Sequence, residues 1–280
     1  MRIDSHHHFW NPAKRDYYWM GGDALRPIRQ EFTPDDMRPL LRAAEIDKTV
    51  LVQTVPDVEE TREFLRTAEN VDFVAGVVGW APLTDVGLPE ILRSLAEGEG
   101  GRYLCGIRHQ VHDESDPGWI SRPDVMNGIR AIGEAGLVYD LLVKEPELAA
   151  AIRCVTENPD MQFVLDHVAK PRIAAGELEP WRGLITALAA LPNVACKISG
   201  MVTEADWAGW TKADFEPYIE HVVTVFGPQR LMFGSDWPVC LLAGSYAQVH
   251  GLAAELLSGF DDESRAMIFG LNAQRIYGLD

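Results

Sequence analysis

The sequence predicts a (β/α)8 TIM barrel with its active site at the carboxyl ends of the strands. Three observations carry this reading. Eight short apolar, β-branched runs recur along the chain, most of them continuous as in strands buried on both faces, and a helix-length amphipathic segment separates each from the next. At 280 residues the chain could hold two domains, yet barrels of this size fold as one. No low-complexity linker or shift in composition divides it, so a single domain over 1–280 is expected.

The first strand is Asp4 to Trp10, with three histidines towards its end. Alternate side chains of a strand share a face, so His6 and His8 point together and His7 points away. An affinity-tag remnant is a poor account of them, because they sit between Ile3-Asp4 and Phe9-Trp10 and no Gly/Ser leader precedes them. An aromatic loop, Phe9 to Gly22, follows. Thr33-Pro34-Asp35-Asp36 then opens a helix, with Thr33 as N-cap, proline at the first helical position and acids in the first turn. The second strand is Lys48 to Thr54, and the alternation continues with a helix over Asp57 to Asn70, a strand over Asp72 to Gly79 and a helix from Leu88 to Ala96. Glu97 to Gly101 is a connector, since no strand precedes its glycines and no Gly-Lys-Ser/Thr follows.

The fourth strand, Arg102 to His109, leads into a long loop holding His112 and Trp119. A helix over Pro123 to Ala135, a strand over Leu137 to Val143 and a helix over Pro146 to Glu157 come next. The sixth strand, Met161 to His167, ends on Asp166-His167, and Lys170-Pro171 closes its exit. After a helix over Trp181 to Leu191, the seventh strand, Asn193 to Ser199, carries Lys197. A helix from Asp214 to Phe226 precedes the eighth strand, Arg230 to Asp236, which Trp237-Pro238 stops; helices from Tyr246 to Leu257 and Asp262 to Tyr277 finish the chain.

Bulk properties exclude several classes of partner. A net charge of -17 disfavours nucleic acid and anionic membrane surfaces, neither of which gains by meeting an acidic protein. No run is long enough to span a bilayer and no signal peptide is recognisable, so a cytoplasmic location is expected. Cys105, Cys154, Cys196 and Cys240 form no Cys-x-x-Cys pair and read as reduced thiols, mostly buried. Association of barrels into a homodimer is an option that the sequence leaves open.

In a barrel the residues closing the strands face the active site. Here they are His6 and His8, Arg108 and His109, Asp140, His167, Lys197 and Asp236. Each has a structural alternative. Asp236 could cap the following segment, His167 could be a satisfied core histidine, and Arg108 and Lys197 could form ion pairs with acids such as Asp140 or Asp166. His109, out of phase with Arg108, is expected to face the helices. His221 and His250 fall in helical patterns and read as packing residues.

Asp-x-His-x-His at the start, Leu165-Asp166-His167 later and Gly234-Ser235-Asp236-Trp237-Pro238 on the last strand resemble the amidohydrolase superfamily. More narrowly, the chain resembles the sugar-lactonase branch that includes L-fuconolactonase and L-rhamnonolactonase. The resemblance implies His6, His8, His167 and Asp236 as ligands of a metal, zinc by preference. The pattern departs from a two-metal centre, because strands four and five offer Arg108-His109 and Tyr139-Asp140 where a bridging ligand and a histidine would be needed. One ion at most is expected, and the related lactonases include members that work without metal.

Lactone hydrolysis requires a base for water, positive charge for the developing oxyanion and an acid for the departing ring oxygen. Asp236 is the candidate base; His167, Arg108 and Lys197 are the candidate electrophilic groups. Trp19, Trp80, Trp237 and His112 are candidate substrate walls, since flat apolar faces beside polar groups suit a sugar ring. The expected activity is hydrolysis of a sugar 1,4- or 1,5-lactone in carbohydrate catabolism. The rivals are a zinc-dependent decarboxylase of an aromatic or unsaturated acid, and a sugar-binding barrel without catalysis.

Overall fold

In the computed structural model, which describes residues 1–280, eight parallel strands pair in chain order. They are β1 (Ile3–His7), β2 (Lys48–Val52), β3 (Val74–Gly79), β4 (Leu104–Gln110), β5 (Val138–Leu142), β6 (Phe163–Leu165), β7 (Val194–Ile198) and β8 (Leu231–Phe233). Around them lie α1 (Pro34–Ala43), α2 (Val58–Asn70), α3 (Leu88–Glu97), α4 (Pro123–Glu134), α5 (Leu148–Thr156), α6 (Trp181–Ala189), α7 (Lys212–Phe226) and α8 (Tyr246–Leu256). Two short helices, α9 (Asp262–Ala266) and α10 (Asn272–Tyr277), close the chain. The arrangement is a (β/α)8 barrel, as the alternation of apolar runs and amphipathic segments requires.

Local signals fix the helix starts. At α1 the Asp36 carboxylate accepts the Thr33 N–H at 2.8 Å and the Thr33 hydroxyl at 2.7 Å. At α2 the Asp57 side chain accepts the Glu59 N–H at 2.9 Å, satisfying a donor that the helix cannot. The stretch expected as one helix from Asp262 to Tyr277 is broken by a wide turn over Met267–Leu271. Gly270 passes so close to the N-terminus that a Cβ there would lie 2.2 Å from the Met1 carbonyl oxygen, a fit that only glycine permits.

Two apolar layers hold the barrel. The larger packs the outer strand faces against the helices. The smaller fills the lower barrel, with Ile3, Val50, Val78, Val138, Val164, Ala195 and Met232 pointing inward and Ile276, Tyr277 and Leu279 plugging the base. Each fully buried valine, isoleucine or methionine among them contributes about 1.5–3 kcal/mol. Above this floor the interior turns polar, because residues two positions further along the same strands also point inward. Thus Val138, Val164 and Ala195 are followed by Asp140, Asp166 and Lys197.

The first strand changes phase. Its pairing with β2 slips between Asp4 and His7, so Ile3 and His6 both face the interior despite their odd separation. The barrel seam is then closed by the segment after β8: the Asp236 N–H donates to the His6 carbonyl at 2.8 Å, and the His8 N–H to the Trp237 carbonyl at 2.7 Å. Asp4 braces the same seam, accepting the Ser235 N–H at 2.8 Å and the Tyr246 hydroxyl at 3.1 Å.

Candidate active site

A cavity of about 140 Å³ opens at the carboxyl face of the strands. Its floor and sides come from His8, Arg108, Gln110, His167 and Asp236, and its mouth from Trp19, Thr54, His112, Asp113, Leu142, Lys170 and Val239. The seam bonds place Asp236 against the first-strand histidines. Its Oδ1 lies 3.4 Å from His8 Nε2, 3.8 Å from His6 Nε2 and 3.9 Å from His167 Nε2.

The other ring nitrogens set the tautomers. His8 Nδ1 donates to the Val52 carbonyl at 2.7 Å, and His6 Nδ1 faces Asp166 Oδ1 at 3.3 Å. His8 therefore turns an Nε2 lone pair towards Asp236, whereas His6 Nδ1 also lies 3.2 Å from Lys197 Nζ, so either tautomer of His6 finds a partner. His167 Nδ1 meets the Ser199 hydroxyl at 2.8 Å, a group that can donate or accept. Burial lowers all three imidazoles, His167 to about 3, while the neighbouring acids Asp166 and Asp236 pull them the other way. Burial pushes the Asp236 carboxyl up, but His167, His8 and His6 outweigh it and hold the group below the usual carboxylate range.

Lone pairs and a carboxylate oxygen converging without a shared hydrogen favour a cation between them. The donors of His6, His167 and Asp236 all lie within 4.8 Å of one another. The contacts of Asp236 Oδ1, at 3.4, 3.8 and 3.9 Å, are longer than the ligand–ligand edge of about 3.3 Å of tetrahedral zinc, so the donors would draw in around an ion. Neutral imidazoles backed by a carbonyl or a carboxylate, together with one ionised carboxylate, are the donor set of a mononuclear zinc site. Arg108 Nη1, 3.2 Å from His6 Nε2, already brings a positive charge to the same place.

Beneath the histidines lies a layer of buried charge. Lys197 Nζ binds Asp140 at 2.6 Å and Asp166 at 3.0 Å, and Arg108 Nη1 binds the other oxygen of Asp166 at 3.0 Å. Two cations thus meet two anions in the barrel interior, with only Arg108 reaching the cavity. Burial lowers the Lys197 ammonium, yet Asp140 and Asp166 outweigh it and keep it charged. Burial raises Asp166, but Lys197, His6 and Arg108 reverse this and hold it well below the usual range. Asp140, with fewer cationic contacts, is pushed by burial up to about 6. Tyr277 reaches from the base to donate to Asp140 at 2.8 Å.

The structure brings His6, His8, His167, Asp236 and Arg108 together, with Trp19 and His112 at the mouth. Lys197 stands lower: its ammonium is enclosed by Asp140, Asp166 and His6 and has no face on the cavity. Trp80 and Trp237, expected as substrate walls, are placed elsewhere. Trp80 Nε1 donates to His109 Nδ1 at 3.0 Å on the outer side of β4, and Trp237 packs edge-on against Phe9 and Phe32. The reason is phase: Trp237 follows an inward-facing residue and is turned outward, into the apolar layer. His109 stacks on Trp119 with ring centroids 4.4 Å apart, and His7 bonds Thr49 Oγ1 at 2.8 Å, both outside the cavity.

Lys170 is the cation among the wall residues absent from the sequence expectations, which also include Thr54, Gln110, Asp113, Leu142 and Val239. The sixth strand is shorter than its apolar run suggests, and the chain leaves it through a left-handed turn, with φ of 53°, 47°, 59° and 47° at His167, Val168, Ala169 and Lys170. No residue in that stretch is glycine, and no sequence signal announces such a turn. Against it sits Gly200, itself at φ +60°, where a Cβ would lie 2.5 Å from His167 Nδ1.

The amidohydrolase family profile matches residues 3–279. The chain belongs to the amidohydrolase family. It is 39% identical over 286 residues to the L-fucono-1,5-lactonase of Burkholderia ambifaria, covering 100% of this chain and 96% of that one. A solved amidohydrolase from Burkholderia multivorans with bound zinc superposes with a TM-score of 0.94 at 37% identity, each chain fully covered. A 2,6-dihydroxybenzoate decarboxylase shares the fold at a TM-score of 0.65 and 14% identity, with 99% of each chain covered.

Proposed function

We propose that this amidohydrolase opens the 1,5- or 1,4-lactone of a sugar acid to the open-chain acid. The observation that carries the reading is a buried, ionised carboxylate facing an electropositive wall, Asp236 opposite Arg108 and Lys170, in a cavity the size of one sugar ring. Full-length similarity to an L-fucono-1,5-lactonase supports the same substrate class. The decarboxylase rival rests on fold alone.

Water enters beside Asp236 and attacks the lactone carbonyl carbon while the carboxylate takes one of its protons. Negative charge collects on the carbonyl oxygen, where Arg108 donates hydrogen bonds and, with no ion bound, His167 adds one from its Nε2–H form. The Arg108 Nε–H is buried and has no partner within the protein, so a substrate oxygen is its natural acceptor. As the carbon–ring oxygen bond breaks, its electron pair stays on the ring oxygen, which receives the proton held by Asp236. The products are a hydroxyl and a carboxylic acid that ionises into solvent. Preorganised donors of this kind are typically worth about 10²-fold each in rate. A divalent ion held by His6, His8, His167 and Asp236 would polarise the carbonyl and acidify water. Asp166 and Lys197 act one step removed, fixing the ring of His6 and the fork of Arg108.

A panel of aldono-1,4- and 1,5-lactones, with acid release followed by a pH indicator, tests the reading. Turnover above the spontaneous rate is expected on at least one. No acceleration on any member would overturn it.

A further inference from the structure

Four successive residues of L-chirality in the left-handed region, one of them the β-branched Val168, are costly, at about 1–2 kcal/mol each. The fold holds the turn from several sides. The Lys170 N–H donates to the His167 carbonyl at 2.8 Å, and the Trp181 indole N–H donates to the Val168 carbonyl at 2.7 Å. Strain kept in place this way calls for a functional account. Geometry supplies one. A turn with about three residues per revolution superimposes side chains three apart, and the side chains three apart here are His167 and Lys170, both in the wall of the reaction cavity.

Lys170 has a single side-chain partner, Glu204 Oε1 at 3.2 Å, contributed by the loop after β7. An ammonium carries three N–H donors, so two remain for the cavity. The other cation of the wall is differently committed. Arg108 is anchored deep, between Asp166, His6 and the Gln53 carbonyl, whereas Lys170 sits higher, its side chain 16% exposed. Two cations at different depths match the two oxygens on the carbon under attack, the carbonyl oxygen and the ring oxygen.

We infer that Lys170 is a second catalytic cation of this site: its ammonium hydrogen-bonds the lactone ring oxygen and stabilises the negative charge that grows there as the carbon–oxygen bond breaks. The inference rests on the lactonase reading. Lys170 keeps its own proton throughout; the proton that ends on the ring oxygen is the one Asp236 took from water. Glu204 is a positioning residue that aims the ammonium.

Lys170→Asn tests this, because asparagine tolerates the left-handed region and removes the charge without disturbing the turn. With L-fucono-1,5-lactone as probe, kcat falls about 10²-fold, KM stays within about threefold, and the variant melts no lower than the wild type. Lys170→Arg restores kcat to within tenfold of wild type. A kcat for Lys170→Asn within threefold of wild type, an effect confined to KM, or a Lys170→Arg variant as slow as the asparagine one would each overturn the assignment. Should the asparagine variant melt lower, Glu204→Gln supplies the answer, with a kcat loss at unchanged melting temperature expected and unchanged kcat refuting. Wild-type inactivity on every lactone of the panel instead defeats the lactonase reading itself, so the two failures are separable.

Discussion

Replacing Lys197 by methionine removes one cation from the buried layer under the histidines and leaves the side-chain volume nearly unchanged. Its ammonium is the contact that Asp140 and Asp166 share, at 2.6 Å and 3.0 Å, and all three side chains are fully buried. Removing one partner of a buried ion pair typically costs about 3–5 kcal/mol. For a chain of this length that corresponds to a fall in melting temperature of roughly 5–9 °C. The loss depends on pH with a definite sign. Without Lys197 the folded-state pKa of Asp140, already about 6 from burial, rises further above its unfolded value. A carboxyl whose folded pKa is raised contributes stability below its unfolded pKa and loses it as pH climbs through the folded one. The deficit relative to wild type is therefore larger at pH 8 than at pH 5. Adding Asp140→Asn removes the stranded carboxylate and leaves Asp166 paired with Arg108 at 3.0 Å, so at least half of the loss returns. Calorimetric melts at both pH values decide the matter. A fall of less than 2 °C, a deficit equal at the two pH values, or no recovery in the double variant would refute the reasoning about this layer.

Other perturbations separate the roles around it. Asp236→Asn keeps the fold and lowers kcat by about 10²–10⁴-fold, the range for loss of a general base; steady-state rates beside a melt will tell, and a fully active variant removes Asp236 from that role. Gly200→Ala places a methyl 2.5 Å from His167 Nδ1 at a positive φ, so both melting temperature and kcat fall, with Ser199→Ala the milder control at the same ring. Zinc at a hundredfold excess over its Kd raises stability by about 2.7 kcal/mol; thermal shift measures this without any turnover, and the shift disappears in a His167→Asn variant if the ligand set is right.

How far the sequence announces this architecture depends on the element. The strands are legible because a strand buried on both faces is largely apolar, as Val50 to Val52 and Phe163 to Leu165 are, and the helix starts are legible because Asp57 accepts a first-turn N–H and Asp36 closes back on Thr33. His6, His8, His167 and Asp236 are legible because chemistry-bearing residues at strand ends have few structural uses. Phase is the main thing hidden. The slip in β1 that turns both Ile3 and His6 inward leaves no trace in composition, nor does the sharp exit from β6 that brings Lys170 to the cavity. Depth is hidden too. Lys197 and Arg108 look equivalent as cations near strand ends, yet Arg108 carries a face on the cavity while Lys197 lies one layer below. Trp80 and Trp237 mislead for a related reason, since a bulky indole suits the outer packing layer as well as a sugar face.

The seam where the last strand meets the first also governs when the site comes into being. Asp236 reaches His6 and His8 only through backbone bonds spanning most of the chain, contacts of the kind that form late because a long loop must close first. A growing polypeptide that has displayed its histidine pair from the outset still lacks the Asp236 carboxylate until the final fifth of the chain has been made and has locked into place. Assembly of the cavity thus reports a finished molecule, and a chain arrested before residue 236 carries every other polar wall residue without the carboxylate they surround.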